Sequence, residues 1–68
     1  MDLIRVQRAR LNLTQEDLAR LVGVAPSTIR RWEHGYDVPS SKLLVLANAL
    51  DVNADELLNY EPPVKARQ

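Results

Sequence analysis

The 68-residue chain contains no cysteine and no phenylalanine, and it holds one tryptophan, one histidine and two glycines. Without cysteine there are no disulfides and no thiolate metal sites. A single histidine adds too little for the usual zinc clusters. Gly23 and Gly35 stand far apart, so no glycine-rich loop is present to cradle a phosphate. Long apolar runs are missing too. The longest, Leu43-Leu44-Val45-Leu46-Ala47, falls far short of the roughly 20 residues that span a bilayer. The start, Met1-Asp2-Leu3-Ile4-Arg5, lacks the basic-then-apolar order of a secretory signal. What is present is a 46% hydrophobic composition, enough for one compact core even though so short a chain buries only about 60% of its unfolded surface. The expectation is a small, soluble, cytoplasmic domain with no metal, no cofactor, no membrane partner and no evident small-molecule ligand.

Nine basic and nine acidic residues cancel overall, but they are not evenly spread. Residues 1–34 carry six arginines against four acids, and residues 35–64 carry Lys42 alone against five acids. Lys65 and Arg67 restore neutrality at the end. A basic half joined to an acidic one is a sign asymmetry that can mark a nucleic-acid face, and it is equally compatible with an ordinary mixed surface.

The apolar periodicity is helical throughout. Leu3, Ile4 and Leu11 share one face of a first segment opened by Asp2, a candidate N-cap, and broken at Asn12. Thr14-Gln15-Glu16-Asp17 is a capping-box pattern, in which Thr14 accepts from the Asp17 backbone and the Asp17 carboxylate reaches back. Leu18, Ala19, Leu21 and Val22 then line one face of a second helix, which Gly23 ends. Pro26 suits the first position of a third helix, because its missing N–H would be unpaired there anyway. That helix runs through Ile29 and Trp32 towards Gly35, and Tyr36-Asp37-Val38-Pro39 reads as a loop. Ser40 is expected to cap a fourth helix holding Leu43, Leu44, Leu46, Ala47 and Leu50. Asn53-Ala54-Asp55-Glu56 opens a short fifth helix with Leu57 and Leu58, and Pro62-Pro63 stops regular helix. The expected fold is all-α, a compact five-helix bundle. Residues 1–60 form the domain, and residues 61–68 are a tail that is flexible or part of a dimer interface.

The second and third helices carry a more specific pattern. Two helices that cross steeply after a tight turn need a small residue at the crossing, a glycine at the turn and apolar residues where they repack. Counting from Gln15, Ala19 is fifth, Gly23 ninth, Ile29 fifteenth and Trp32 eighteenth, with Leu18, Val22 and Val24 between them. The stretches Leu13–Ala19, Val22-Gly23-Val24 and Ser27–Glu33 resemble the lambda-repressor-like helix-turn-helix domain, of the Cro/cI or XRE family. Pro39-Ser40, Leu46–Leu50 and Asp55–Leu58 extend the resemblance over roughly residues 4 to 58. It implies a five-helix bundle that binds operator DNA as a dimer.

With Ile29 set inward at about 100° per residue, Trp32 and Glu33 flank it, Ser27, Arg31 and His34 lie opposite, and Arg30 sits on the side. A recognition helix enters the major groove N-terminus first, so Pro26, Ser27, Arg30 and Arg31 are the candidate base contacts. Arginine carries most weight, because its fork pairs with guanine O6 and N7; Arg30 is equally well placed for a phosphate. Gln15 opens the second helix, where free N–H groups favour a phosphate, and the resemblance gives its position that contact. Thr28 and Tyr36 are further phosphate candidates, although the Tyr36 ring also suits packing on Trp32 or the helix end. The resemblance pairs Arg8 with Glu33 as a structural ion pair. Trp32 has the spacing of a core residue. Leu57, Leu58 and Tyr60, with Val64 beyond, are the candidate dimer surface.

His34 has no catalytic companion at useful spacing, and the neighbouring carboxylates Glu16-Asp17 and Asp55-Glu56 diverge on their helices. Nothing supports an enzyme. Ala25 stands where the family commonly caps the recognition helix with Ser or Thr, and Pro26 replaces a frequent base-reading position. The expected function is a sequence-specific transcriptional regulator, a repressor binding a two-fold symmetric operator as a homodimer, bacterial or phage-encoded and nucleoid-associated. The alternative is a protein-interaction module such as an antitoxin-like partner protein.

Overall fold

The computed structural model describes residues 2–59 as five helices: α1 (Asp2–Arg10), α2 (Gln15–Val22), α3 (Pro26–Glu33), α4 (Ser40–Ala49) and α5 (Ala54–Asn59). No strand occurs among them. Tyr60, the tail 61–68 and its Val64 lie outside the described residues. None of the described helices is long and apolar enough to cross a membrane.

The helix starts follow local chemistry. Thr14 Oγ1 accepts the Asp17 N–H at 3.0 Å and Asp17 Oδ2 accepts the Thr14 N–H at 3.0 Å, so the expected capping box opens α2. Asn53 and Glu56 build the same reciprocal pair at the start of α5, at 2.8 and 3.1 Å. The cap of α4 differs from expectation. Pro39 occupies the N-cap position and Ser40 is already helical, with no side-chain cap bond. Proline's fixed φ and the extended backbone after it set the entry, and Ser40 is left free of that task.

Four helices end alike. After α1, α2, α3 and α4 the chain passes through a left-handed residue at Asn12, Gly23, Gly35 and Asp51. The next N–H then reaches back five residues: Leu13 to Arg8, Val24 to Ala19, Tyr36 to Arg31, and Val52 to Ala47, each at 2.9–3.1 Å. This is the Schellman closure, which satisfies orphan carbonyls and turns the chain sharply. It keeps every connection short.

One core results. Leu3 and Ile4 of α1, Leu18, Ala19 and Val22 of α2, Ile29 and Trp32 of α3, Leu46 and Ala47 of α4, Leu50 and Leu57 are buried together. α3 packs chiefly on α2 and also on α1, while α4 packs on α2 and α5. Three leucines expected on inward faces point outward instead: Leu11, Leu21 (56% exposed) and Leu44 (66% exposed). Leu11 follows the last helical residue of α1. Leu21 and Leu44 stand on helices whose buried faces are already filled by their neighbours.

Candidate nucleic-acid interface

The α2–α3 pair is set by steric detail. Ala19 is 2% exposed within the core, and a small residue there lets two helix axes approach. Gly23 takes φ 84°, a left-handed value that an L side chain resists. Ala25 is extended (φ −74°, ψ 150°) at the N-cap of α3 and offers no side-chain acceptor, as its methyl dictates. Pro26 then starts the helix.

The outcome is a two-sided α3. Ile29 is 0% and Trp32 4% exposed, whereas Pro26, Arg30, Arg31 and His34 are exposed and Ser27 and Thr28 half-buried. Neither Arg30 nor Arg31 enters an ion pair among the described residues; the two pairs there are Arg8–Glu33 and Arg20–Asp17. Two guanidinium groups thus face solvent from the ridge of one helix. Tyr36 follows directly, exposed, with its N–H bonded to the Arg31 carbonyl at 3.1 Å.

Around the far end of α3 a polar cluster joins three helices. Arg8 Nε donates to Glu33 Oε2 at 2.7 Å, and Arg8 Nη1 donates to the Leu13 carbonyl at 2.9 Å. Gln15 Nε2 donates to Glu33 Oε1 at 2.9 Å. Gln15, half-buried at the first turn of α2, therefore sits beside the last residue of α3. The Gln15–Glu33 bond spans 18 residues, and no local pattern announces it. Of the acids beside Gln15, Asp17 is engaged locally. The Asp17 carboxyl is held below its ordinary value, first by the Thr14 N–H, then by the Thr14 hydroxyl, with Arg20 adding to the effect.

The candidate dimer residues separate. Leu57 is 2% exposed and belongs to the monomer's own core, which corrects its expected place on a dimer surface. Leu58 is 59% exposed, and Tyr60 lies outside the described residues. On α4, Leu44 is 66% exposed and lines a hollow of about 340 Å³ together with Asn48, Val52 and Ala54.

A tight glycine turn between two packed helices, the second turning outward two arginines that have no ion-pair partner among the described residues, defines a DNA-binding domain of the helix-turn-helix class. The helix-turn-helix family model matches residues 4–57. The chain belongs to that family, in its lambda-repressor-like, XRE-type form. It is 41% identical over 59 residues to an HTH-type transcriptional regulator of Methanocaldococcus jannaschii, covering 85% of this chain and 89% of that protein. It is 35% identical over 52 residues to RstR, the cryptic phage CTXphi transcriptional repressor of Vibrio cholerae, covering 75% of this chain and 46% of RstR. A 41-residue stretch is 49% identical to the type II methyltransferase M1.ScrFI of Lactococcus lactis subsp. cremoris, covering 56% of this chain but 10% of the enzyme. The chain thus spans less than half of RstR and a small part of the methyltransferase.

Proposed function

We propose that the chain is a sequence-specific transcriptional regulator, acting as a repressor, that binds a two-fold symmetric operator as a homodimer with α3 in the major groove. The observation that carries this is the division of α3, with Ile29 and Trp32 in the core and Arg30 and Arg31 exposed with no ion-pair partner among the described residues. In this reading Arg31 and Ser27 meet base edges, with Arg30 and Pro26 beside them, and Gln15, Thr28 and Tyr36 meet phosphates. An arginine paired to guanine contributes about 1–3 kcal/mol of discrimination. The phosphate contacts fix register without reading sequence. The likeness to the RstR repressor supports the direction of regulation. No catalytic step is assigned, and in this reading the protein is cytoplasmic and nucleoid-associated, bacterial or phage-encoded.

A dimer of such domains places its half-sites about 34–36 Å apart, one turn of the duplex. Leu58 and Leu44, large apolar side chains left exposed on α5 and α4, form its surface. The test is selection of bound duplexes from a random pool, followed by binding at two salt concentrations. A recovered palindromic site whose affinity falls with salt supports the reading, because phosphate contacts release counterions. Failure to recover any duplex, with binding instead to a protein partner, overturns it.

A further inference from the structure

Glu33 is the one acidic residue of α3, standing on the helix that the proposed function places against a polyanion. Its side chain is only 6% exposed. Both carboxylate oxygens are occupied, Oε2 by Arg8 Nε at 2.7 Å and Oε1 by Gln15 Nε2 at 2.9 Å. Arg8 is itself anchored, because its Nη1 donates to the Leu13 carbonyl in the turn leading into α2. The charge of Glu33 is therefore balanced within the domain.

The consequence falls on Gln15. A glutamine side chain carries an acceptor oxygen and an NH2 of nearly equal size, and a free one presents either. A carboxylate only accepts, so Glu33 admits the NH2 and rejects the oxygen. One amide proton is then fixed to Glu33 and the second remains to donate. We propose that Glu33 is a positioning residue for DNA binding, which orients the Gln15 amide so that its second N–H meets a phosphate. This rests on the DNA-binding reading and deepens it. The orientation is set before binding, so no side-chain ordering has to be added at the moment of contact.

The test is a double-mutant cycle on the full chain, using a duplex recovered by selection as the probe. Glu33→Gln removes a negative charge, so general electrostatics predicts tighter binding to DNA. Positioning predicts the reverse, a loss of about tenfold, the weight of one charge-assisted hydrogen bond. In the Gln15→Ala background the same substitution changes affinity by less than about twofold, because the group being oriented is gone. Urea unfolding of each variant separates affinity from folding. Should Glu33→Gln fail to fold because Arg8 is orphaned, side-chain amide signals of Gln15 in the unmodified protein replace it. One proton is then shifted before DNA is added and the other moves on addition. Unchanged or tighter binding by folded Glu33→Gln, an undiminished loss in the Gln15→Ala background, or a Gln15 amide like that of free glutamine overturns the positioning role alone. Absence of binding by the unmodified chain overturns the DNA reading as well.

Discussion

Leu57 and Leu58 are consecutive residues of α5 with opposite surroundings, one 2% exposed within the core and the other 59% exposed. Substitution of each separates folding from assembly. Leu57→Ala is expected to cost about 2–5 kcal/mol of stability, the range for a buried leucine. Leu58→Lys is expected to leave stability within about 0.5 kcal/mol while shifting sedimentation from dimer to monomer. An unchanged dimer in Leu58→Lys assigns assembly to another surface.

Ala25 holds the backbone geometry of an N-cap without an acceptor. Ala25→Ser adds an oxygen within reach of the Ser27 N–H, since Pro26 has no N–H and the Thr28 N–H already donates to the Ala25 carbonyl at 2.9 Å. The expected gain is about 0.5–2 kcal/mol in urea unfolding. No gain means that the side chain at residue 25 turns away from α3.

The left-handed residues after the helices predict two effects of opposite sign. An added Cβ at Gly23 would meet nothing within 4 Å, so Gly23→Ala is resisted by backbone conformation alone, about 1–2 kcal/mol. Asp51 already adopts φ 59°, and Asp51→Gly relieves part of that cost, raising stability by about 0.5–1 kcal/mol. Thermal unfolding of the two variants checks both signs.

Asp17 links stability to acidity. Its carboxyl lies below the ordinary 3.8, chiefly through the Thr14 N–H. A carboxyl lowered by folding contributes fully above the unfolded value, and its contribution is lost as pH falls through the folded one. Asp17→Asn should therefore be less stable than the unmodified chain at about pH 7, with the difference shrinking below about pH 4. A difference that stays constant down to acid unfolding contradicts this linkage.

Much of this was legible because it is local. Thr14 with Asp17, and Asn53 with Glu56, are three residues apart, and a capping box is visible at that spacing. Gly23 and Pro26 likewise announce a turn and a start. Which leucines face outward was not legible on α4, whose sequence Ser40–Ala49 is apolar nearly all round, so Leu44 looked as inward as Leu46. The left-handed turn at Asp51 gave no signal, since aspartate there is less telling than glycine. The exposure of Arg31 and His34 on α3 follows from the wheel around Ile29. The Gln15–Glu33 bond needed the fold, because only packing brings α2 and the end of α3 together.

The division of α3 into a core side and a reading side is tested most directly by repeating the duplex selection with Arg31→Ala and with Gln15→Ala. Arg31→Ala should recover sites relaxed at one base position in each half, whereas Gln15→Ala should recover the same sites with affinity lowered evenly. Recovery of the original site, at full strength, by Arg31→Ala together with Arg30→Ala would contradict the assignment of α3 as the reading helix.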